Sequence, residues 1–157
     1  MKFRAIYIRF PEKLTERQEN ILIAHFKALL AQIHKQLIKF EKTFDSKSMK
    51  LLNFVSFGTS KPAMQYLDST IRLLRIKLNH YVRLEAPDEK TYVFLYAYEK
   101  FDTLNMNRKL LGKEIKFNIF DTEDKIVDWL KNTVIPKVGY KVEDVQIEKK
   151  EIEQEVE

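Results

Sequence analysis

The stretch Tyr81-Val82-Arg83-Leu84-Glu85-Ala86-Pro87-Asp88-Glu89-Lys90-Thr91-Tyr92-Val93-Phe94-Leu95-Tyr96-Ala97-Tyr98 reads as two strands around a turn. Residues 80–84 form the first strand, Ala86-Pro87-Asp88-Glu89 supplies turn chemistry, and residues 91–98 return as the second, so the two pair as a hairpin. On the second strand Tyr92, Phe94, Tyr96 and Tyr98 share one face, and Val93, Leu95 and Ala97 the other. Aromatics on a sheet can stack bases. Here both faces are apolar, which marks a central strand packed by helices on either side.

Working toward the N-terminus, residues 61–79 predict a helix with Ser60 as cap and Pro62 in its first turn. Met64, Leu67, Ile71, Leu74 and Leu78 form its inward seam. Lys61, Gln65, Asp68, Arg72, Arg75 and Asn79 fall on the opposite arc. This is the helix expected to contact nucleic acid, because the planar Arg fork donates two parallel hydrogen bonds to phosphate. Every surface helix also has a polar face, so solvation explains the same residues. A strand is expected over 51–57 after a polar connection at 44–50. Before that, a long helix runs from Thr15 to about residue 42, opened by a capping box of Thr15 and Gln18 and carrying Leu22, Phe26, Leu29, Ile33, Leu37 and Phe40 in one stripe. Its outer face bears Lys27, Lys35, Lys39 and Lys42, and its early Glu16 and Glu19 suit the helix dipole. Residues 2–10 form the first strand, stopped by Pro11.

Toward the C-terminus, residues 102–111 predict a short helix ending at Gly112 and residues 113–120 a strand. A last helix is capped by Asp121, holds Ile126, Trp129 and Leu130, and ends at Pro136. Residues 140–147 suggest an edge strand, and 148–157, with five Glu and two Lys, a frayed acidic tail. The order β-α-β-α-β-β-α-β-α-β mixes hairpins with crossovers. The expectation is an α+β fold: one domain over 1–147 with a mixed or antiparallel sheet, packed by one long helix and several shorter ones, followed by the tail at 148–157.

Composition narrows the function. The chain has 157 residues, 45% hydrophobic and 32% charged, which fits one compact domain. It has no cysteine, which excludes disulfides, thiolate metal sites and a Cys nucleophile. Its three glycines, Gly58, Gly112 and Gly139, build neither a P-loop nor a dinucleotide-binding motif. No apolar run reaches membrane-spanning length, and Met1-Lys2-Phe3-Arg4 leads into a strand, so a soluble intracellular protein with no membrane partner is expected. Abundant Lys, Glu and Ile suits a protein from a hot environment.

Charge changes sign within the hairpin. Residues 1–84 hold 16 Lys+Arg against 6 Asp+Glu, a net of +10, whereas 85–157 hold 12 against 17, a net of −5. A basic half offers a surface for a polyanion, and the adjoining carboxylates are placed for chemistry on it. Phosphodiester hydrolysis needs a group that activates water and one that offsets phosphate charge, or carboxylates that position a divalent metal. Glu85, Asp88 and Glu89 lie close together, flanked by His80, Arg83 and Lys90. Glu85 ends a strand and has a fixed direction, whereas Asp88 and Glu89 occupy the turn. Strand alternation puts His80, Val82 and Leu84 on one face and Tyr81, Arg83 and Glu85 on the other, so Arg83 and Glu85 can act on one phosphate. The plain alternative is a surface ion pair. Asp88 followed by Glu114-Ile115-Lys116 has the outline of a restriction-enzyme-like metal site, but a strand and a helix are expected to intervene. The three histidines have no metal-ligand spacing.

With its lead strand Lys2-Phe3-Arg4-Ala5-Ile6-Tyr7-Ile8-Arg9-Phe10, its lack of Cys, its basic first half and the segment Arg83-Leu84-Glu85-Ala86-Pro87-Asp88-Glu89, the chain resembles the small orphan nucleases of Acidianus filamentous viruses, lipothrixviruses of hot acidic springs. The likeness runs the full length and rests on size, composition and sequence character. It implies a novel α+β fold, cleavage of linear double-stranded DNA and an archaeal host cytoplasm. It transfers no residue by motif and leaves metal dependence open.

The expected function is therefore a nuclease on double-stranded DNA. In it Glu85 is general base or metal ligand, Arg83 offsets phosphate charge, Asp88 joins the site, and Lys61, Arg72, Arg75, Asn79 and Lys90 hold the backbone. A divalent cation such as magnesium, held by Glu85 and Asp88, is the one cofactor considered, and a homodimer is left open. The alternatives are a non-catalytic DNA-binding or genome-packaging protein, and an adaptor that binds a host protein through the long helix or the tail.

Overall fold

The computed structural model describes the backbone of residues 1–45, 61–102, 106–110, 113–117 and 123–155, with side chains placed for 1–42, 69–102 and 123–155. The expected strand at 51–57 and the Asp121 cap lie outside these residues. The fold is α+β. Strand β1 (Lys2–Arg9) leads into helix α1 (Glu16–Asp45), followed by α2 (Lys61–Ile76), a single turn α3 (Leu78–Tyr81), and the hairpin of β2 (Val82–Glu85) and β3 (Thr91–Tyr96). Helix α4 (Tyr98–Asp102), strands β4 (Met106–Leu110) and β5 (Lys113–Phe117), helix α5 (Glu123–Trp129), a π-helical turn (Leu130–Val134), α6 (Ile135–Val138) and β6 (Gln146–Glu153) complete the order. The chain divides into two compact units: Met1–Ala31 with Asn79–Tyr98 and Asp121–Glu157, and Gln32–Leu78 with Glu99–Phe120.

The first unit holds an antiparallel sheet of order β2-β3-β1-β6. The hairpin forms as expected, with Val82 opposite Tyr96 and Glu85 opposite Val93. All six residues of β3 are buried, as are Phe3, Ala5, Ile6 and Ile8 of β1, so the two middle strands are covered on both faces. Burying a Phe or Ile side chain is worth about 1.5–3 kcal/mol each, so this pair of strands contributes strongly to the unit's stability. On one face Phe26 of α1 meets Phe94 edge-on at 5.7 Å between centroids. Leu22, Trp129, Leu130 and Val134 close around them and leave a void of only about 10 Å³. The aromatic row of β3 is therefore core rather than a base-stacking surface. Tyr92 also donates its hydroxyl to Glu19 Oε2 of α1 at 2.6 Å.

Helix α1 starts with the expected capping box: Gln18 N donates to Thr15 Oγ1 at 3.2 Å, and Thr15 N donates to Gln18 Oε1 at 3.0 Å. In the second unit Ile33 and Leu37 of α1 and Ile71, Leu74 and Leu78 are buried, which matches the two predicted seams as far as their side chains are placed. Strands β4 and β5 pair antiparallel as a separate two-stranded sheet, with Met106 opposite Phe117 and Leu110 opposite Lys113.

Four local expectations are corrected. Residues 106–110 are a strand, not helix: Met, Lys, Arg and Leu favour helix weakly, and cross-strand pairing overrides that preference. His80 sits in the turn α3, so it does not share a strand face with Val82 and Leu84. Pro136 does not end the last helix. A π-helical bond from Ile135 N to Leu130 O widens the preceding turn, and Pro136 follows directly at the start of α6, so the helix runs through it. The helix ends at Gly139, whose φ of 106° suits glycine. Finally, the acidic segment expected to fray from residue 148 is strand through Glu153, and Val142–Asp144 is a 3-10 turn. β1 pairs with it in unbroken register from Lys2 opposite Glu153 to Arg9 opposite Gln146, and Met1 and Gln154 exchange two backbone bonds of 3.0 Å. Backbone pairing holds a strand whose side chains are too polar to reveal it.

Candidate functional site

Short-range alternation on β2 puts Arg83 and Glu85 on the same face, as the sequence predicts, and their groups meet: Arg83 Nη1 lies 3.2 Å from Glu85 Oε1. The guanidinium is also engaged on two further sides. Its Nη2 donates to Gln154 Oε1, and its carbon lies 5.2 Å from the centroid of the Phe3 ring. Arg83 Nε is buried without a hydrogen-bond partner. With side-chain exposures of 30% and 44%, Arg83 is partly enclosed and Glu85 open. Gln154 was not foreseen, because its position depends on the β1–β6 register and not on any local pattern.

The turn carboxylates follow the end of β2 at Glu85. Asp88 is exposed, and its Oδ1 accepts from Lys90 N at 2.9 Å. That bond holds its carboxyl below the ordinary range, with smaller pulls from Thr91 and Arg9. The structural job of Asp88 is an Asx turn that shapes the hairpin. Glu89 and the Lys90 side chain are exposed. Among the described residues, no three His, Asp or Glu side chains converge so as to hold a metal ion. Glu114 and Lys116 lie on β5, in a different sheet from the hairpin carrying Asp88, so the restriction-enzyme-like outline lacks its adjacent strands.

The candidate DNA-binding residues separate into three groups. Arg75 clasps Glu41 of α1 through both Nε and Nη2, the latter 3.3 Å from Oε1, and Arg72 Nε lies 3.9 Å from the same oxygen. Glu41, 17% exposed, is the residue that the sequence argument missed; an isolated Glu among lysines carried no signal. Asn79 and Lys90 are exposed in the first unit, and Lys61 opens α2. All four lysines on the outer side of α1 are exposed; Lys27 belongs to the first unit, and the second unit carries Lys35, Lys39 and Lys42. At helical spacing these last three fall within about 60° of one another and span about 10 Å along the axis.

Charge also sorts by unit. The unit made of Gln32–Leu78 and Glu99–Phe120 contains 14 Lys+Arg and 6 Asp+Glu, a net of +8, while the sheet-bearing unit contains 14 and 17, a net of −3. The asymmetry read along the chain persists in the folded arrangement. Among the described residues no helix is long and apolar enough to cross a membrane. Comparison with protein families, with curated proteins and with solved structures finds no match to this chain.

Proposed function

We propose that the protein binds double-stranded DNA through its basic unit, without sequence preference, and that exposed lysines of α1 make the phosphate contacts. The observation that carries this reading is the net charge of +8 on the second unit, with Lys35, Lys39 and Lys42 exposed as one stripe. Phosphate neutralisation releases counterions, so such a surface needs no base contacts to bind. Arg72 and Arg75 act as braces in this reading, because the carboxylate of Glu41 already occupies them. The test is fluorescence anisotropy on a linear duplex across a salt series. The slope of log affinity against log salt should fall by about 0.9 for each lysine replaced by Ala at 35, 39 and 42. No affinity at low salt, or a slope indifferent to all three, would refute it.

A nuclease is the second reading, supported by the open carboxylate of Glu85 held beside Arg83 on an edge strand. Glu85 would take a proton from the attacking water, and Arg83 would exchange Glu85 or Gln154 for a phosphate oxygen. Removal of a general base costs about 100- to 10,000-fold in rate, whereas loss of an exposed ion pair costs little stability. Linear and closed-circular duplexes incubated with magnesium, manganese or chelator, beside Glu85→Gln, separate these outcomes. Cutting abolished in a stable Glu85→Gln supports the nuclease. Intact DNA in every lane with retained binding leaves the first reading alone.

A further inference from the structure

Strands β4 and β5 form a sheet of their own, an antiparallel ribbon within the basic unit, and among the described residues no third strand joins it. Its register sorts the residues onto two faces. Asn107 opposite Lys116 and Lys109 opposite Glu114 share one face, while Met106 opposite Phe117, Arg108 opposite Ile115 and Leu110 opposite Lys113 share the other. The Glu114-Ile115-Lys116 outline therefore belongs to this ribbon, and Glu114 and Lys116 fall together on its wholly polar face.

Two strands alone are marginally stable in water, so one face of such a ribbon needs cover. Met106, Leu110, Ile115 and Phe117 all fall on one face, where burial is favourable, whereas covering the other face with protein would strip water from two ammonium groups and a carboxylate. The polar face is the one suited to a charged partner. That partner is an anion, because the ten paired residues hold four Lys+Arg against one Glu, a net of +3, in a unit whose net is +8. Dimensions narrow the choice. Five residues per strand at about 3.4 Å each make a ribbon about 17 Å long with its strands about 4.8 Å apart. The major groove of B-form DNA, about 12 Å wide, admits a two-stranded ribbon, and about 17 Å of it holds about five base pairs. The minor groove, about 6 Å wide, and the deep, narrow major groove of A-form RNA do not.

We infer that the β4–β5 ribbon lies in the major groove of duplex DNA with the face of Asn107, Lys109, Glu114 and Lys116 inward, and that it makes the protein prefer B-form DNA to double-stranded RNA. This rests on the reading of the basic unit as a DNA-binding surface and deepens it. The lysines of α1 supply attachment to the phosphate backbone, and the ribbon selects the groove by its width, which requires no particular base sequence.

The test is dimethyl sulfate methylation of a short linear duplex saturated with the full chain, because one reagent reports guanine N7 in the major groove and adenine N3 in the minor groove. Guanine N7 reactivity should fall by about threefold or more while adenine N3 is unchanged. Fluorescence anisotropy should show the DNA duplex bound about tenfold or more tightly than an RNA duplex of the same sequence. Lys109→Gln combined with Lys116→Gln should remove both effects, while the salt-slope losses on replacing Lys35, Lys39 and Lys42 persist. Protection at adenine N3, none at guanine N7, equal affinity for the two duplexes, or N7 protection that survives the double variant would each overturn the inference and leave the lysine stripe in place. No affinity for DNA at low salt would refute the reading beneath it, and the inference with it.

Discussion

Replacement of Glu41 by Gln tests whether the arginines of α2 are braces or DNA ligands. The carboxylate receives Arg75 through two nitrogens and has Arg72 Nε at 3.9 Å, with exposures of 17%, 33% and 47% for Glu41, Arg75 and Arg72. Two unit charges about 4 Å apart interact by about 1 kcal/mol in water and about 4 at an effective dielectric of 20. A half-exposed pair lies toward the lower limit, and ordering the side chains offsets part of the gain, so the Arg75 clasp should be worth about 1–2 kcal/mol. Arg72, longer and more exposed, should add less than about 1 kcal/mol. Glu41→Gln keeps the side-chain volume and should therefore lower stability by about 1–2 kcal/mol in urea unfolding. A double-mutant cycle with Arg75→Met should return a coupling of about 1 kcal/mol that shrinks in high salt. The same variant speaks to function: Arg75 released from Glu41 becomes available to phosphate, and duplex affinity at low salt should rise together with the salt slope. Additive single mutants, or DNA affinity that falls in Arg75→Met while the Glu41→Gln slope stays put, would refute the brace assignment.

Three further outcomes follow from the geometry. Tyr92→Phe should cost about 0.5–1.5 kcal/mol by removing the bond to Glu19, read from chemical denaturation. Burial first, and Glu19 second, push the Tyr92 hydroxyl well above its ordinary 10.0, so its contribution is complete below pH 10 and declines as pH rises beyond it; Tyr92→Phe should flatten that alkaline loss. Asp88 should titrate by NMR with a midpoint below 3.8, and Asp88→Asn should remove the stability lost as pH falls through that midpoint. At Gly139 the added methyl of Gly139→Ala would meet, among the described residues, only Gln18 Nε2 at 3.8 Å, so its expected cost of about 1 kcal/mol comes from a φ of 106°, and thermal unfolding should show it.

The parts of the fold legible in the sequence are those in which local pattern and tertiary burial agree. β1, the capping box of α1 and the 82–96 hairpin are of this kind, because apolar alternation and helical stripes both report burial directly. The strand at 106–110 was hidden by residues with helical preference, and β6 by side chains that face solvent: its partner, β1, lies at the opposite end of the chain. At the candidate site, alternation foretold that Arg83 and Glu85 would meet. Nothing local foretold Gln154 or Glu41, since both reach their arginines through packing between distant segments. The basic helix was identified correctly as basic, but the carboxylate that occupies its arginines lies 31 to 34 residues upstream, beyond the reach of periodicity.

The place of β1 in the middle of its sheet sets a schedule for synthesis on the ribosome. Of the four strands in its sheet it is made first, yet its neighbours are β3 and β6, the last of the four to be made. About 140 residues separate its end from the start of β6, an interval of roughly 10–30 s at ordinary elongation rates. Through that time Phe3, Ile6 and Ile8 have no completed sheet to join, and they must be shielded by the nascent α1 or by a chaperone. A ribosome stalled before residue 146 would therefore present a sticky, half-built sheet, and folding yield in the cell should depend on how quickly translation passes β6.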